Sequence, residues 1–277
     1  MATNGLVTSS VGDLDRAIEI KGPCVHSGDF GVVRVEPYEK GAYFRLTPEE
    51  EPQPLSPASY RPDFLTSAVI DRANRIALCP EHVLSSCLLV GMSGFCITRV
   101  SGPYEFPVGP SDSSYVEMFL EQIGVPAAIP TGVRVKSDMA VQIDSATRWC
   151  AVQSGSPRLD ISWQHDGARA ECGIDRCPAL ADILRIGSAR GFIRADDLER
   201  LQGRGRLLGA NDAGRWLQLV ATERLPAEVL AECALHKLYD LLGDMCALGG
   251  MPLGILEVAQ PGHGVNGLIR EALAGQA

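Results

Sequence analysis

The sequence predicts an α+β protein built from two similar domains, each a small mixed sheet layered against helices. Three observations carry that prediction. Short stretches that alternate apolar and polar residues, as half-buried strands do, interleave with longer stretches of helical periodicity. The two halves end alike, each with a proline-started helix, a glycine, a strand and a further helix. Between the halves "VPAAIPTG" (125–132) reads as a linker, which places the expected division at 1–126 and 127–277. The repeat is one of topology, because identity between the halves is slight.

In chain order, "AIEIKG" (17–22) and "VVRVEP" (32–37) alternate as strands, with the glycine-rich turn "GPCVHSGDFG" between them. Residues 48–62 hold five prolines and a run of glutamates and are expected to form a loop. "SAVIDRANRIAL" reads as a strand or strand pair, and Pro80 opens the helix "PEHVLSSCLLVGM". "GFCITRV" is a strand, and "SSYVEMFLEQIG" a helix stopped by Gly124. In the second half "VRVKSDMAVQID", "RWCAVQ" and "RLDISWQ" are strand candidates, and "CPALADILRIGSARG" and "DDLERLQGRG" are helical. A long helix over 226–248, the strand "PLGILEVAQ" and the helix "VNGLIREALAG" complete the chain.

With 277 residues, 45% of them hydrophobic, the chain can bury a substantial core. A net charge of -9 argues against a general nucleic-acid binder, which needs a basic surface, but leaves room for a local basic pocket. No apolar run reaches the roughly 18–20 residues of a membrane span. "MATNGLVTSSVGDLD" lacks the charged and apolar regions of a secretory signal. The nine cysteines are odd in number and scattered without a CxxC pair, as expected of reduced thiols in a cytoplasmic protein.

Chemistry concentrates in "HKLYDLLGD" (236–244). His236, Asp240 and Asp244 fall four apart, so on a helix they share one face. A hydrolytic zinc site needs three protein ligands and one open position. His236 and Asp240 can supply two, and His82 is the natural third, with Glu81 beside it as a base. Taken alone, HxxxD is more often a helix-surface ion pair, and "EH" has almost no specificity. "PGHGVNG" (261–267) is more unusual. It sets a histidine between glycines at a strand-to-helix junction, either as a plain turn or as an imidazole exposed in a cleft. Cys79 as a nucleophile is disfavoured, since no spacing pairs it with a base.

"CPEHVLSSCLLVGM", "ALHKLYDLLGD" and "PGHGVNGLI", in this order and spacing, resemble the UDP-3-O-acyl-N-acetylglucosamine deacetylases of lipid A synthesis. "GPCVHSG", with His26, and "SARGFIRADDLERLQGRGRLLG" extend the resemblance over nearly the whole chain. It implies two domains with the active site between them, Glu81 and His82 in the first and His236, Asp240 and His263 in the second. It implies zinc on His82, His236 and Asp240 (Fe²⁺ would fit the same ligands), with Glu81 as general base. His263 would be the acid or electrostatic stabiliser, oriented by Asp244, and Lys237 a positive charge near the substrate. Leu65, Gly191, Phe192, Asp197 and Gln260 would be substrate contacts, with the 188–224 region guiding an acyl chain. The implied protein is a cytoplasmic monomer acting on an acylated nucleotide-sugar or simpler amino-sugar substrate, with no nucleic acid or membrane span involved.

Three departures stand out. The family places a threonine after "AR", near the developing oxyanion, where this chain has Gly191. It commonly has a lysine three residues before the catalytic histidine, where this chain has Gln260. Its "DGS" is replaced by "PSD" (110–112). The metal residues are intact while the substrate-facing ones differ. Two further readings therefore stand beside the first: a related zinc amidase on another N-acyl substrate, and a zinc-retaining binding or regulatory protein. The presence of both Glu81 and His263 counts against the last, since a binder needs neither base nor acid.

Overall fold

Two five-stranded mixed sheets of identical topology form the frame. A computed structural model describes residues 17–63, 65–110, 113–210, 216–220 and 225–276. Its first half runs β1 (Ile18–Pro23), β2 (Phe30–Pro37), β3 (Ala42–Arg45), β4 (Gln53–Pro54), β5 (Tyr60–Pro62), β6 (Ser67–Ile70), β7 (Ile76–Leu78), α1 (Glu81–Leu89), β8 (Phe95–Ser101) and α2 (Tyr115–Ile123). The second half runs β9 (Thr131–Arg134), β10 (Met139–Gln142), β11 (Arg148–Val152), β12 (Arg158–His165), β13 (Ala168–Asp175), α3 (Leu180–Gly187), β14 (Gly191–Arg194), α4 (Ala195–Gln202), β15 (Leu217–Val220), α5 (Ala227–Met245), β16 (Met251–Leu253), β17 (Ile255–Ala259) and α6 (His263–Ala274).

The sheets order as β1-β2-β8-β3-β4 and β10-β11-β17-β12-β13. In each, the strand that follows the buried helix inserts into the middle, antiparallel to one neighbour and parallel to the other. The registers line up apolar rows on one face: Val35, Ile97 and Phe44 in the first sheet, Trp149, Val258 and Ile161 in the second. All six are buried, which is what the alternating pattern requires of a one-sided sheet. Residues 48–62, expected as a loop, contain β4 and β5. β13 was not expected, because Ala170 and Cys172 make its inward positions too small for a clear alternation.

Helices α1 and α5 are buried on nearly all sides rather than along one stripe. They pack on each other, α1 also meets α2 and α3, and α5 also covers β12 and β13. A single apolar cluster runs through these helices and both sheets. α2 is capped by a reciprocal Ser114–Glu117 box and closed by Gly124 at φ 83°. Three small units flank the frame: the antiparallel sheet β5-β6-β7, the parallel pair β9/β16, and the β14-α4-β15 unit with its two strands parallel.

The α1–α5 contact depends on Gly243. A Cβ there would fall inside contact distance of the Glu81 carbonyl and 2.5 Å from Ser85 Oγ. The helices are clasped by Ser85 Oγ donating to the Tyr239 carbonyl, by a Ser86–Tyr239 hydroxyl pair, and by Tyr239 OH donating to His82 O at 2.8 Å. Gly243→Ala is expected to lower the unfolding free energy by about 1–3 kcal/mol, the usual cost of overpacking. Gly264→Ala in α6, where an added Cβ meets nothing within 4 Å, should stay within about 0.5 kcal/mol of wild type. Urea unfolding of both variants checks this.

Candidate active site

Because α1 and α5 touch, the first turn of α1 faces the middle of α5. Ligand atoms of His82, His236 and Asp240 all lie within 4.8 Å of one another. Each imidazole Nε2 is 3.4 Å from Asp240 Oδ1. The tautomers follow from the backbone: His82 Nδ1 donates to Val108 O at 3.1 Å and His236 Nδ1 to Ala189 O at 3.0 Å. Both Nε2 lone pairs therefore turn inward. Asp240 Oδ1 is buried with no hydrogen-bond partner among the described residues, while Lys237 Nζ holds Oδ2 at 2.9 Å. Burial opposes the charge on Asp240, but the Lys237 ammonium beside it holds its carboxyl well below the usual range. Burial pushes His236 down to about 4, so it stays neutral, as a ligand must. Two inward nitrogens and an unpaired carboxylate oxygen fit a divalent cation.

Glu81 and His263 adjoin this centre. The Glu81 carboxylate accepts a short hydrogen bond from Thr66 Oγ1 and one from Ser67 N at 3.3 Å, and its burial raises its pKa. His263, the first residue of α6, places Nε2 4.0 Å from Glu81 Oε1 and 3.7 Å from Asp240 Oδ2. Its Nδ1 meets Asp244 Oδ2 at 3.1 Å. Burial works against the imidazolium, yet the Asp244 charge and hydrogen bond raise His263 to about 9. Asp244 is fully buried and also accepts from Tyr60 OH at 2.8 Å, Asn266 Nδ2 at 2.7 Å and Ser67 Oγ. The sequence reading did not single out Tyr60, Thr66, Ser67 or Asn266. Asn266 had a findable signal, three residues after His263 on one helix face. The other three come from the proline-rich segment and the strand after it, whose local pattern carries none.

A pocket of about 110 Å³ opens over these groups. Leu65, Gly191, Phe192 and Lys237 line it, as does His26, which the sequence reading noted only as part of "GPCVHSG". Asp197 and Gln260 are not among its lining residues. Asp197 pairs with Arg200 at 2.8 Å on α4, and Gln260, at φ 56°, is tied to the Gln164 main chain at 3.0 and 3.1 Å. The Asp197–Arg200 pair is three residues apart on one helix face, a spacing the sequence shows, whereas Gln260 is held by a strand 96 residues away. Gly191 lies against the His236 ring, since a Cβ there would stand 3.2 Å from His236 Nε2. In the "PSD" segment, Ser111 and Asp112 lie outside the described residues. A larger concavity of about 610 Å³ on the outer face of the second sheet holds none of the catalytic candidates.

The sequence profile of the UDP-3-O-acyl N-acetylglycosamine deacetylase family matches residues 12–275. The chain belongs to this family. Among curated relatives, the UDP-3-O-acyl-N-acetylglucosamine deacetylase of Vibrio atlanticus (strain LGP32) is 27% identical over 280 residues, covering 94% of this chain and 89% of the relative. The protein of the same description from Haemophilus influenzae (strain PittEE) is 26% identical over 281 residues, covering 95% and 90%. That from Nautilia profundicola is 23% identical over 271 residues, covering 95% and 91%. Among the described residues, no helix is long and apolar enough to cross a membrane.

If His82, His236 and Asp240 form the metal centre of this deacetylase-family protein, Asp240→Ala removes its one anionic ligand. Elemental analysis of zinc-supplied protein is expected to find about one divalent ion per wild-type chain and a strongly depleted variant. A wild-type protein without stoichiometric metal would overturn the assignment.

Proposed function

We propose that this chain is a zinc-dependent deacetylase that removes the acetyl group of UDP-3-O-acyl-N-acetylglucosamine, a step of lipid A synthesis, in the cytoplasm. One observation carries the reading: a three-ligand metal constellation, a buried carboxylate and an aspartate-held imidazole meet at one pocket, all reacting groups within about 4 Å of a neighbour. A binding protein needs the first of these but not the other two. We also propose that the chain divides at 126/127, with Glu81 and His82 presented by one domain to the other.

The ion, zinc or Fe²⁺, is assigned to His82, His236 and Asp240, where it would supply Lewis acidity and make water acidic near neutral pH. Glu81 takes a proton from the attacking water. Thr66 and Ser67 hold its carboxylate in place, and burial makes it a stronger base than a solvated one. His263, fixed by Asp244, presents Nε2–H to the charge that develops on the carbonyl oxygen and to the leaving nitrogen. Lys237 adds a positive charge at the same wall and lies 5.8 Å from the Phe192 ring. Acetate and a free amino sugar are the products. Among the assigned substrate contacts, Leu65, Gly191 and Phe192 line the pocket. Asp197 and Gln260 would act from outside it.

Glu81→Gln should retain fold and metal yet lose about 10²–10⁴ in kcat, the range for a positioned general base. Release of acetate from UDP-3-O-acyl-N-acetylglucosamine, followed with metal content, tests this. An unchanged rate would remove Glu81 from the mechanism, and no turnover by metal-loaded wild type would overturn the function.

A further inference from the structure

Helix α6 buries a polar stripe. His263, Asn266 and Arg270 are three and four residues apart, so they share one face, and all three are buried. His263 and Asn266 both reach Asp244 Oδ2, through Nδ1 at 3.1 Å and Nδ2 at 2.7 Å. Arg270 is 1% exposed and is among the largest fully buried side chains of the protein. A guanidinium is costly to bury unless a counter-charge and hydrogen bonds meet it. Yet among the described residues Arg270 forms no ion pair, and its Nε and Nη1 have no hydrogen-bond partner.

Its contacts run to Tyr60 instead. Nη2 donates to the Tyr60 carbonyl at 2.8 Å, and the guanidinium carbon stands 4.8 Å from the centre of the Tyr60 ring. Tyr60 is itself buried, and its hydroxyl donates to Asp244 Oδ1 at 2.8 Å. Burial, and then the Asp244 charge, push that hydroxyl well above its usual pKa, so it stays a donor. A cation over an aromatic face is attracted to the ring electrons, and over a phenol it draws density from the O–H and strengthens it as a donor. Arg270 thus acts on Tyr60 twice, by fixing its backbone and by polarising its ring.

The two oxygens of Asp244 have separate duties. Oδ1 is held from the first half of the chain, by Tyr60 of β5 and Ser67 of β6. Oδ2 is held from α6, by His263 and Asn266. With Oδ1 fixed, the carboxylate cannot turn about its Cβ–Cγ bond, and Oδ2 keeps its direction toward His263 Nδ1. The placement of His263 Nε2, 4.0 Å from Glu81 Oε1, therefore depends on a tyrosine that Arg270 holds.

We infer that Arg270 is a positioning residue for the acid of this reaction: through Tyr60 it fixes the Asp244 carboxylate, and with it the His263 imidazole. The inference rests on the proposed deacetylase reading and deepens it. Arg270 does not line the pocket, so its removal should act on the chemical step rather than on substrate binding.

The test is a double-mutant cycle on zinc-loaded protein, with Arg270→Met, Tyr60→Phe and the two combined, assayed on UDP-3-O-acyl-N-acetylglucosamine. Methionine occupies the buried stem's space without charge or donor. Arg270→Met should lower kcat by about tenfold, the equivalent of one hydrogen bond lost from the transition state, with KM within about twofold of wild type. Tyr60→Phe should cost as much. Because Arg270 acts through the Tyr60 hydroxyl, the double variant should be no slower than the slower single one. Arg270→Gln, which keeps a donor for the Tyr60 carbonyl but no charge, should lie between Arg270→Met and wild type. An unchanged kcat in Arg270→Met, or a double variant slowed by the product of the two single losses, overturns the proposal. The second of these is what a merely structural role for Arg270 would give. NMR of the His263 Nδ1–H, in protein carrying nitrogen-labelled histidine, needs no turnover. Its resonance should move in both single variants and move no further in the double one. No turnover by wild type overturns the deacetylase reading, while the resonance still decides the role of Arg270: if it stays in place in both variants, Arg270 does not position His263. Should Arg270→Met fail to fold, the same cycle with Arg270→Gln decides it.

Discussion

The close crossing of α1 and α5 is the constraint on which the rest of the molecule depends. Glu81 and His82 belong to one half of the chain, and His236, Asp240 and Asp244 to the other. They meet only because the Gly243 backbone lies against the Glu81 carbonyl and the Ser85 hydroxyl. Tyr239 reinforces the contact, since its hydroxyl and carbonyl bond to His82, Ser85 and Ser86. Each of these bonds satisfies a polar group inside an apolar core, where an unmet one costs about 1–3 kcal/mol. The glycine in "HKLYDLLGD" thus serves the site as directly as the histidine does.

Burial then sets the chemistry. Asp240 and Asp244 are both interior carboxylates, but their surroundings differ. Asp244 is enclosed by donors from Tyr60, Ser67, Asn266 and His263, a fully satisfied group that holds an imidazole in place. Asp240 keeps one oxygen unpaired, facing two imidazole nitrogens whose protons are turned away to backbone carbonyls. An interior anion with an unmet lone pair is costly unless a cation meets it. The same helix face therefore carries one carboxylate suited to a metal and one, a turn further on, suited to orienting an acid.

The β14-α4-β15 unit completes the pocket from outside the frame. β14 places Gly191 against the His236 ring, and Trp216, just before β15, lies against Gly109, so one small parallel pair touches both the candidate metal residues and the apolar cluster beside them. The Gly191–Trp216 main-chain bond joins the segment behind His236 to the segment that brings Trp216 to the pocket.

Much of this was legible in the sequence. Alternation marked β1, β2, β8, β11 and β12 because their inward residues are large and apolar, and prolines and glycines marked the starts and ends of the helices. The 236–240–244 spacing placed three functional groups on one helix face, since helical periodicity is a local property. β13 escaped because its inward residues are small, and β4 and β5 because prolines there signal a loop more strongly than a strand. Tertiary structure alone decided what depends on contacts between distant segments: the four donors around Asp244, the unpaired oxygen of Asp240, the pairing of Gln260 with the Gln164 main chain, and the indole lying against Gly109. Sequence periodicity states which face a residue occupies, but the distance between two faces is set by packing, and here single glycines set it.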